Sequence, residues 1–223
     1  MEIKQTFGTA ITDYQYLLNR NYPQRSILKI VGDKYQLSGQ ERSILYRGIC
    51  TSEQIKQRKS KLFKPASLKN KTIYIDAYNV LIIIGSYLNG RIVFISNDGF
   101  LRDASEMHGR RFRKEIMNKA EDVLFSYFES NTPSEINFYI DEPISQSGQL
   151  AYRLQSRIND LKIKGEATTI KSPDFVLKNT KHGIISTADS VIIDHTKQAI
   201  ADLPQRVLKT QFSPDFLDLT KIL

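Results

Sequence analysis

The sequence predicts an α/β protein in which a mostly parallel sheet flanked by helices follows a small all-helical domain. From Thr72 onward, short apolar runs alternate with amphipathic stretches, a pattern typical of a parallel sheet with helices on both faces. Before that point, apolar residues recur only at helical spacing. The chain has 223 residues, of which 40% are hydrophobic, and this is enough for a sizeable core. We therefore expect a basic helical domain over 1–62, a basic linker over 63–71 and the α/β domain over 72–223.

The helical part contains four candidate helices. An amphipathic run before Pro23 predicts the first, and Pro23 itself suits the first turn of the second. Ser38 with Glu41 has capping-box spacing and predicts the start of a third helix; Thr51 with Gln54 has the same spacing and predicts a fourth. Short helices joined by tight turns resemble a helix-turn-helix-like bundle.

The α/β part is divided into elements by its hydrophobic pattern. The predicted strands are 72–75, 91–96, 136–140, 167–170, 183–186 and 206–208. The predicted helices are 79–88, 112–129, 147–161 and 189–201. The strands alternate with the helices, so we expect most neighbouring strands to be parallel.

The positive charge of the chain is concentrated in its first third. Residues 1–71 contain 14 Lys and Arg against 5 Asp and Glu, a net charge of +9, whereas the rest has a net charge of −1. This asymmetry favours a polyanion such as nucleic acid as partner. No apolar run approaches the ~20 residues of a membrane span, and no signal core is visible, so we expect a cytoplasmic protein without a membrane partner. The sequence does not indicate the oligomeric state.

Aspartates follow four of the predicted strands. They are Asp76, Asp98, Asp141 and Asp189. Ligands of an open parallel sheet bind beyond the carboxyl ends of its strands, although aspartates in such places also cap helices. Carboxylates brought together repel one another unless they take up protons or bind a cation. We therefore predict a site for Mg²⁺ or Mn²⁺, which prefer oxygen ligands and activate water for phosphodiester cleavage.

The segment Tyr-Ile-Asp-Ala-Tyr-Asn-Val over 74–80 resembles the opening motif of PIN-like nucleases, in particular of their NYN branch. The resemblance covers roughly 72–205 and implies a PIN-like α/β domain. It implies that Asp76 is a metal ligand and that Asn79 orients Asp76 or the substrate. The segment 184–189, with Thr187 and Asp189, is similar to a later strand of the superfamily, and Asp141 lies where a middle-strand acid is expected.

The whole chain also resembles an uncharacterised two-part family known as domain of unknown function 434. The stretches that carry this resemblance are 16–23 and 35–48 in the helical part and 97–103 in the second part. This family has no established activity, so the resemblance identifies relatives only.

A basic segment follows the second predicted strand. Its arginines are Arg102, Arg110, Arg111 and Arg113. Arginine binds phosphate through planar bidentate hydrogen bonds, so we predict that this segment contacts the substrate. Tyr78, Phe100 and Phe112 are candidates for base stacking, or they belong to the core.

The main hypothesis is a metal-dependent endonuclease that hydrolyses phosphodiesters, with RNA favoured over DNA. Its catalytic residues would be Asp76, Asp141 and Asp189, which also bind metal together with Asp98 or Asp103. Asn79 and Thr187 would orient ligands or substrate. Two alternatives remain: a non-catalytic nucleic-acid-binding protein on the same PIN-like fold, and a small-molecule phosphohydrolase. Tyr78 argues against the second alternative, since the haloacid-dehalogenase pattern has an aspartate there.

Overall fold

The computed structural model of the chain describes residues 5–65, 67–104 and 114–222. Its first part is helical. The helices there are α1 (Gln5–Asn19), α2 (Gln24–Lys34), α3 (Gly39–Gly48) and α4 (Ser52–Lys61). Both predicted capping boxes are confirmed: Ser38 caps α3 reciprocally with Glu41, and Thr51 caps α4 with Gln54.

The second part alternates strands and helices. The strands are β1 (Thr72–Asp76), β2 (Val93–Ile95), β3 (Leu101–Asp103), β4 (Glu135–Asp141), β5 (Lys164–Ile170), β6 (Ile184–Ser186), β7 (Ala199–Ile200) and β8 (Leu217–Asp218). The helices are α5 (Ala77–Leu88), α6 (Lys114–Ser130), α7 (Ser147–Asp160), α8 (Pro173–Asn179), α9 (Ser190–His195) and α10 (Leu203–Phe212), with a 3₁₀ turn at Leu219–Lys221. Among these residues, no helix is long and apolar enough to span a membrane.

The main sheet of the described residues has the order β5-β4-β1-β6-β7, and its neighbouring strands are all parallel. Alternate side chains point to opposite faces of a strand. Ile73 and Ile75 therefore pack with α5, α6, α7 and α10, whereas Tyr74 packs with α8 and α9 on the other face. The predicted α/β class, with a mostly parallel sheet flanked by helices, is confirmed.

The chain reverses its direction of winding at β1. From β1 it proceeds to β4 and β5 on one side, and then returns to β6 and β7 on the other side. The carboxyl ends of β1 and β6 thus flank a topological switch point, where the loops diverge to opposite faces and leave a crevice for a ligand.

The second predicted strand does not join the main sheet, so that part of the prediction was wrong. Strand β2 pairs antiparallel with β3 and parallel with β8 in a separate sheet. The cause is the short turn after β2, in which Gly99 has a φ of 91°. A turn this short joins antiparallel neighbours, because a parallel neighbour needs a long crossover.

The last predicted elements were also partly wrong. The helix expected over 189–201 ends at His195 and is followed by β7, and the strand expected over 206–208 lies inside α10. Asp202 caps α10 by accepting a hydrogen bond from the backbone of Gln205 at 3.0 Å. Helix α8 was not predicted.

The helical part packs against the second sheet and shares one core with it. Phe94 and Leu219 are fully buried among side chains of α1, α2 and α3. The contact is close, because a Cβ added to Gly48 would lie 2.4 Å from the Phe94 ring. The segment after α4 continues along the main sheet, where the Phe63 amide donates to the Ile200 carbonyl at 2.7 Å.

Candidate active site at the carboxyl edge of the sheet

Asp76 lies at the centre of the carboxyl edge, at the switch point. It ends β1, caps α5 and is only 5% exposed. Its Oδ1 accepts a hydrogen bond from the Asn79 backbone at 3.3 Å, and its Oδ2 accepts from the Asn79 side-chain amide and, at 3.1 Å, from the Thr187 hydroxyl. The predicted grouping of Asp76, Asn79 and Thr187 is thus present in the structure. Thr187 Oγ1 in turn accepts from the Asp189 amide at 3.1 Å.

The Asp76 carboxylate is buried without a balancing positive charge among the donors just named, which are all neutral. Burial raises its pKa to about 7; the hydrogen bonds from Asn79 and Thr187 oppose this rise, and the negative charge of Asp174 adds to it. A strand-end carboxylate in this state is a candidate for a functional role.

Three further aspartates lie around Asp76. Asp174, in the first turn of α8, has a pKa raised by burial and then by the negative charges of Asp189 and Asp141. Asp141 ends β4 two residues after Tyr139, which pairs with Asp76, so it lies about 7 Å further along the strand direction. Asp189 caps α9 and accepts from the Val191 amide at 2.7 Å.

Asp174 was missed by the sequence analysis. The sequence could have predicted a helix that contains Asp174, since Ser172 and Pro173 after the fifth strand are typical of a helix start. Asp174 was overlooked because it lies four residues beyond the end of β5 rather than directly after it.

The donors at this edge fit a hard divalent cation in type, since carboxylate and hydroxyl oxygens are its preferred ligands. The buried negative charge of Asp76 is the observation that such an ion would satisfy. However, among the residues described by the structure, no group of three or more His, Cys, Asp or Glu is close enough to hold a metal. Asp76 and its three acidic neighbours therefore form an acidic edge, which we define by Asp76, Asp141, Asp174 and Asp189, and not a converged cluster.

Asp98 is not part of the acidic edge. It follows β2 and is 1% exposed, with Oδ2 accepting from Arg58 at 2.9 Å and from Arg102 at 2.8 Å. Burial opposes its negative charge, but Arg102, Ser96 and Arg58 outweigh this and lower the pKa to about 2. Two guanidinium groups thus already neutralise Asp98, and its prediction as a metal ligand is not supported.

Arg102 is also bound internally. Its Nη1 donates to the Ala188 carbonyl at 2.6 Å, beside Asp189, and its Nη2 donates to Asp98. Arg58 of α4 binds Asp98 and also forms a bidentate pair with Asp194 of α9, at 2.6 and 2.7 Å. Arg102 therefore supports the turn that carries Asp189, whereas we had expected it to bind phosphate.

Asp103 lies far from the acidic edge. Its Oδ1 accepts from Arg47 at 2.8 Å, and Ser86 of α5 donates to its Oδ2 at 3.5 Å. Ser86 is ten residues after Asp76, which corresponds to about 15 Å along the helix. The expectation that Asp103 completes the site was wrong because strand β3 belongs to the second sheet.

The other residues predicted to contact substrate are aromatic side chains and arginines. Burial argues against two of the aromatic side chains, and the other residues lie outside the part of the chain that the structure describes. Phe100 is 1% exposed, and Tyr78 packs against the main core, so the core interpretation of these two rings is the better one. Arg110, Arg111, Arg113 and Phe112 lie in 105–113, outside the described residues.

A cleft of about 670 Å³ opens between the helical part and the acidic edge. On the side of the edge it is lined by Asn79, Asp189 and Ser190. On the other side it is lined by the turn between α1 and α2 and by the end of α3. Arg58 and Arg102, which are both buried, also line it. Both parts of the chain thus build this cleft, and Asp189 is the member of the acidic edge that lines it.

Both parts of the chain match family models of unknown function. The family described as "Domain of unknown function (DUF5616)" matches residues 65–206, and that described as "Protein of unknown function (DUF434)" matches residues 6–61. The predicted resemblance to the second family is confirmed for the helical part, and the other part matches a family of its own. Neither description names an activity, so the PIN-like resemblance stays a prediction.

One curated relative aligns with most of the chain. It is "Uncharacterized protein MJ0935" of Methanocaldococcus jannaschii, which is 33% identical over 184 residues, covering 82% of this chain and 87% of the relative. No solved structure matches significantly. The extent of the family match and of this alignment shows that the chain belongs to the family described as domain of unknown function 5616.

Proposed function

We propose that this protein is a divalent-metal-dependent endonuclease with a PIN-like catalytic domain, and that it cleaves RNA in preference to DNA. The observation that carries the proposal is Asp76: a buried carboxylate, bonded only by neutral donors in the contacts described above, at the switch point of a parallel sheet. Such a group costs stability unless a cation reaches it.

The residues of the acidic edge have distinct roles in this proposal. Asp76 would be the central ligand of Mg²⁺ or Mn²⁺, with Asp174, Asp189 and Asp141 as the surrounding carboxylates. When bound, the ion would activate water and stabilise the leaving oxygen of a phosphodiester. Asn79 and Thr187 hold the Asp76 carboxylate in one orientation through their hydrogen bonds, which keeps the ligand positioned before substrate arrives.

Nucleic acid as the substrate is supported by the charge of the helical part. Residues 1–71 carry the net charge of +9, and residues of their helices line the cleft together with Asp189 of the acidic edge. A positive region beside a metal-binding edge attracts a polyanion and then presents its phosphates to the ion.

A panel of labelled RNA and DNA, single- and double-stranded, tests the proposal. Wild type, Asp76→Asn and Asp160→Asn would be incubated with Mg²⁺, Mn²⁺ or a chelator. Asp160 is the matched control, because it is exposed at the end of α7 and its substitution removes the same charge. We expect cleavage by wild type and Asp160→Asn that needs metal and is lost in Asp76→Asn; cleavage that survives in Asp76→Asn would refute the assignment.

A second function is favoured by the lack of a converged ligand group among the described residues. In this alternative the protein binds nucleic acid without cleaving it. Salt-sensitive binding with no metal-dependent products, across the whole panel, would support it over the endonuclease.

A further inference from the structure

The cleft between the two parts of the chain is lined by aromatic residues as well as by acidic residues. Tyr22, in the turn between α1 and α2, is 54% exposed, and Tyr46, near the end of α3, is 41% exposed. Both line the cleft together with Asn79 and Asp189. The two tyrosines belong to one surface, because the Gln24 side chain donates to the Tyr46 carbonyl at 2.8 Å and so ties the start of α2 to α3.

The charged groups of this cleft are largely engaged with one another. Arg47 binds Asp103, Arg58 and Arg102 share Asp98, and Arg58 also binds Asp194. These guanidinium groups are already neutralised, so they are poor candidates for gripping a phosphate. The exposed aromatic rings of Tyr22 and Tyr46 remain as the surface available to a ligand.

The size of the cleft restricts the form of a nucleic-acid ligand. A volume of about 670 Å³ is in the range of sites for small organic ligands, roughly 300–1,000 Å³. It therefore suits a few unpaired nucleotides. Bases inside a duplex have both faces covered by neighbouring base pairs, whereas unpaired bases stack on aromatic side chains.

We propose that this cleft binds single-stranded nucleic acid, with bases stacked on Tyr22 and Tyr46 and the backbone running to the acidic edge. This inference rests on the proposed function and names its substrate class. It also gives the helical part a role as one wall of the substrate site. Tyr22 and Tyr46 were not among the residues suggested by the sequence, since nothing in the sequence places them in one cleft with Asp189.

Fluorescence anisotropy with a short labelled single-stranded RNA in chelator measures binding without cleavage. The variants are Tyr22→Ala and Tyr46→Ala, with Tyr22→Phe and Tyr46→Phe to retain the ring. Tyr16→Ala and Tyr152→Ala are matched controls, because these tyrosines are 55% and 79% exposed and do not line the cleft. We expect each cleft alanine to weaken binding about 10-fold, and the phenylalanine and control variants to stay within about 2-fold of wild type.

The outcomes separate this inference from the proposed function. Equal binding by the alanine variants and wild type, or equal competition by duplex and single strand, would overturn the inference while metal-dependent cleavage could still be observed. Absence of binding by wild type to every nucleic acid would overturn both. Thermal unfolding of each variant, monitored by circular dichroism, excludes misfolding as the cause of weak binding.

Discussion

Asp76→Asn is expected to stabilise the metal-free protein while abolishing the proposed nuclease activity. The wild-type carboxylate is buried with a pKa raised to about 7, so at pH 8 it is charged at a cost in free energy. Asparagine has the same shape, is equally suited to a helix N-cap and carries no charge. The Asn79 amide can rotate and the Thr187 hydroxyl can turn, so their hydrogen bonds with the new side chain can be restored.

The size of this stabilisation by Asp76→Asn follows from proton linkage. The folded wild type keeps the Asp76 proton up to about pH 7, whereas the unfolded chain loses it near pH 3.8, the ordinary pKa of an aspartate. Stability from this group is therefore present below pH 3.8 and is lost as the pH rises toward 7. About three pH units at about 1.4 kcal/mol each give an upper limit of about 4 kcal/mol at pH 8, and less than half of that at pH 5.

Equilibrium urea unfolding in chelator, at pH 5 and pH 8, measures this difference. Asp202→Asn is the matched control, because Asp202 is also buried with a pKa raised by burial to about 6. Its two oxygens accept from the backbone of Leu101 at 2.6 Å and of Gln205 at 3.0 Å, and asparagine cannot accept both, so this variant should be destabilised. An Asp76→Asn protein that is no more stable than wild type at pH 8, or whose advantage does not shrink at pH 5, would refute the reasoning.

Three other substitutions have definite expected effects. Asp98→Asn should cost about 3 kcal/mol in urea unfolding at pH 7, because it removes the buried carboxylate that Arg58 and Arg102 share and leaves Arg102 without an acidic partner among its described contacts. With a lowered pKa of about 2, the contribution of Asp98 should persist above pH 4 and disappear as the pH falls toward 2. Gly165→Ala should destabilise the sheet by more than about 1 kcal/mol, since φ is +126° and the new Cβ would lie 1.8 Å from the Ile136 carbonyl oxygen; normal stability would show that β5 is placed incorrectly. Asp174→Asn should raise the metal concentration for half-maximal cleavage by about 10- to 100-fold without lowering stability; an unchanged metal dependence would remove Asp174 from the site.

The parts of the fold that the sequence predicted are those set by local pattern. The capping boxes at Ser38 and Thr51 involve partners only three residues away. The strands ending at Asp76 and Asp141 are marked by isoleucine and phenylalanine runs that become the core of the main sheet. Because both strands are parallel, their carboxyl ends meet at one edge.

The parts that failed depend on partners distant in sequence. Asp98 was assigned to the metal site because it follows a strand, but its strand joins a second sheet and its charge is neutralised by Arg58, 40 residues away. Arg58 also binds Asp194, 136 residues away. Such pairs are created by tertiary packing, and a single sequence contains no local signal for them.

Direct observation of bound Mn²⁺ by electron paramagnetic resonance tests the central claim, that Asp76 and its neighbours hold a catalytic metal. The titration would compare wild type, Asp76→Asn and Asp160→Asn, each with and without single-stranded RNA. Binding by wild type and Asp160→Asn that is lost in Asp76→Asn is the predicted result. Equal binding by all three proteins, or none by wild type even with RNA, would contradict the account.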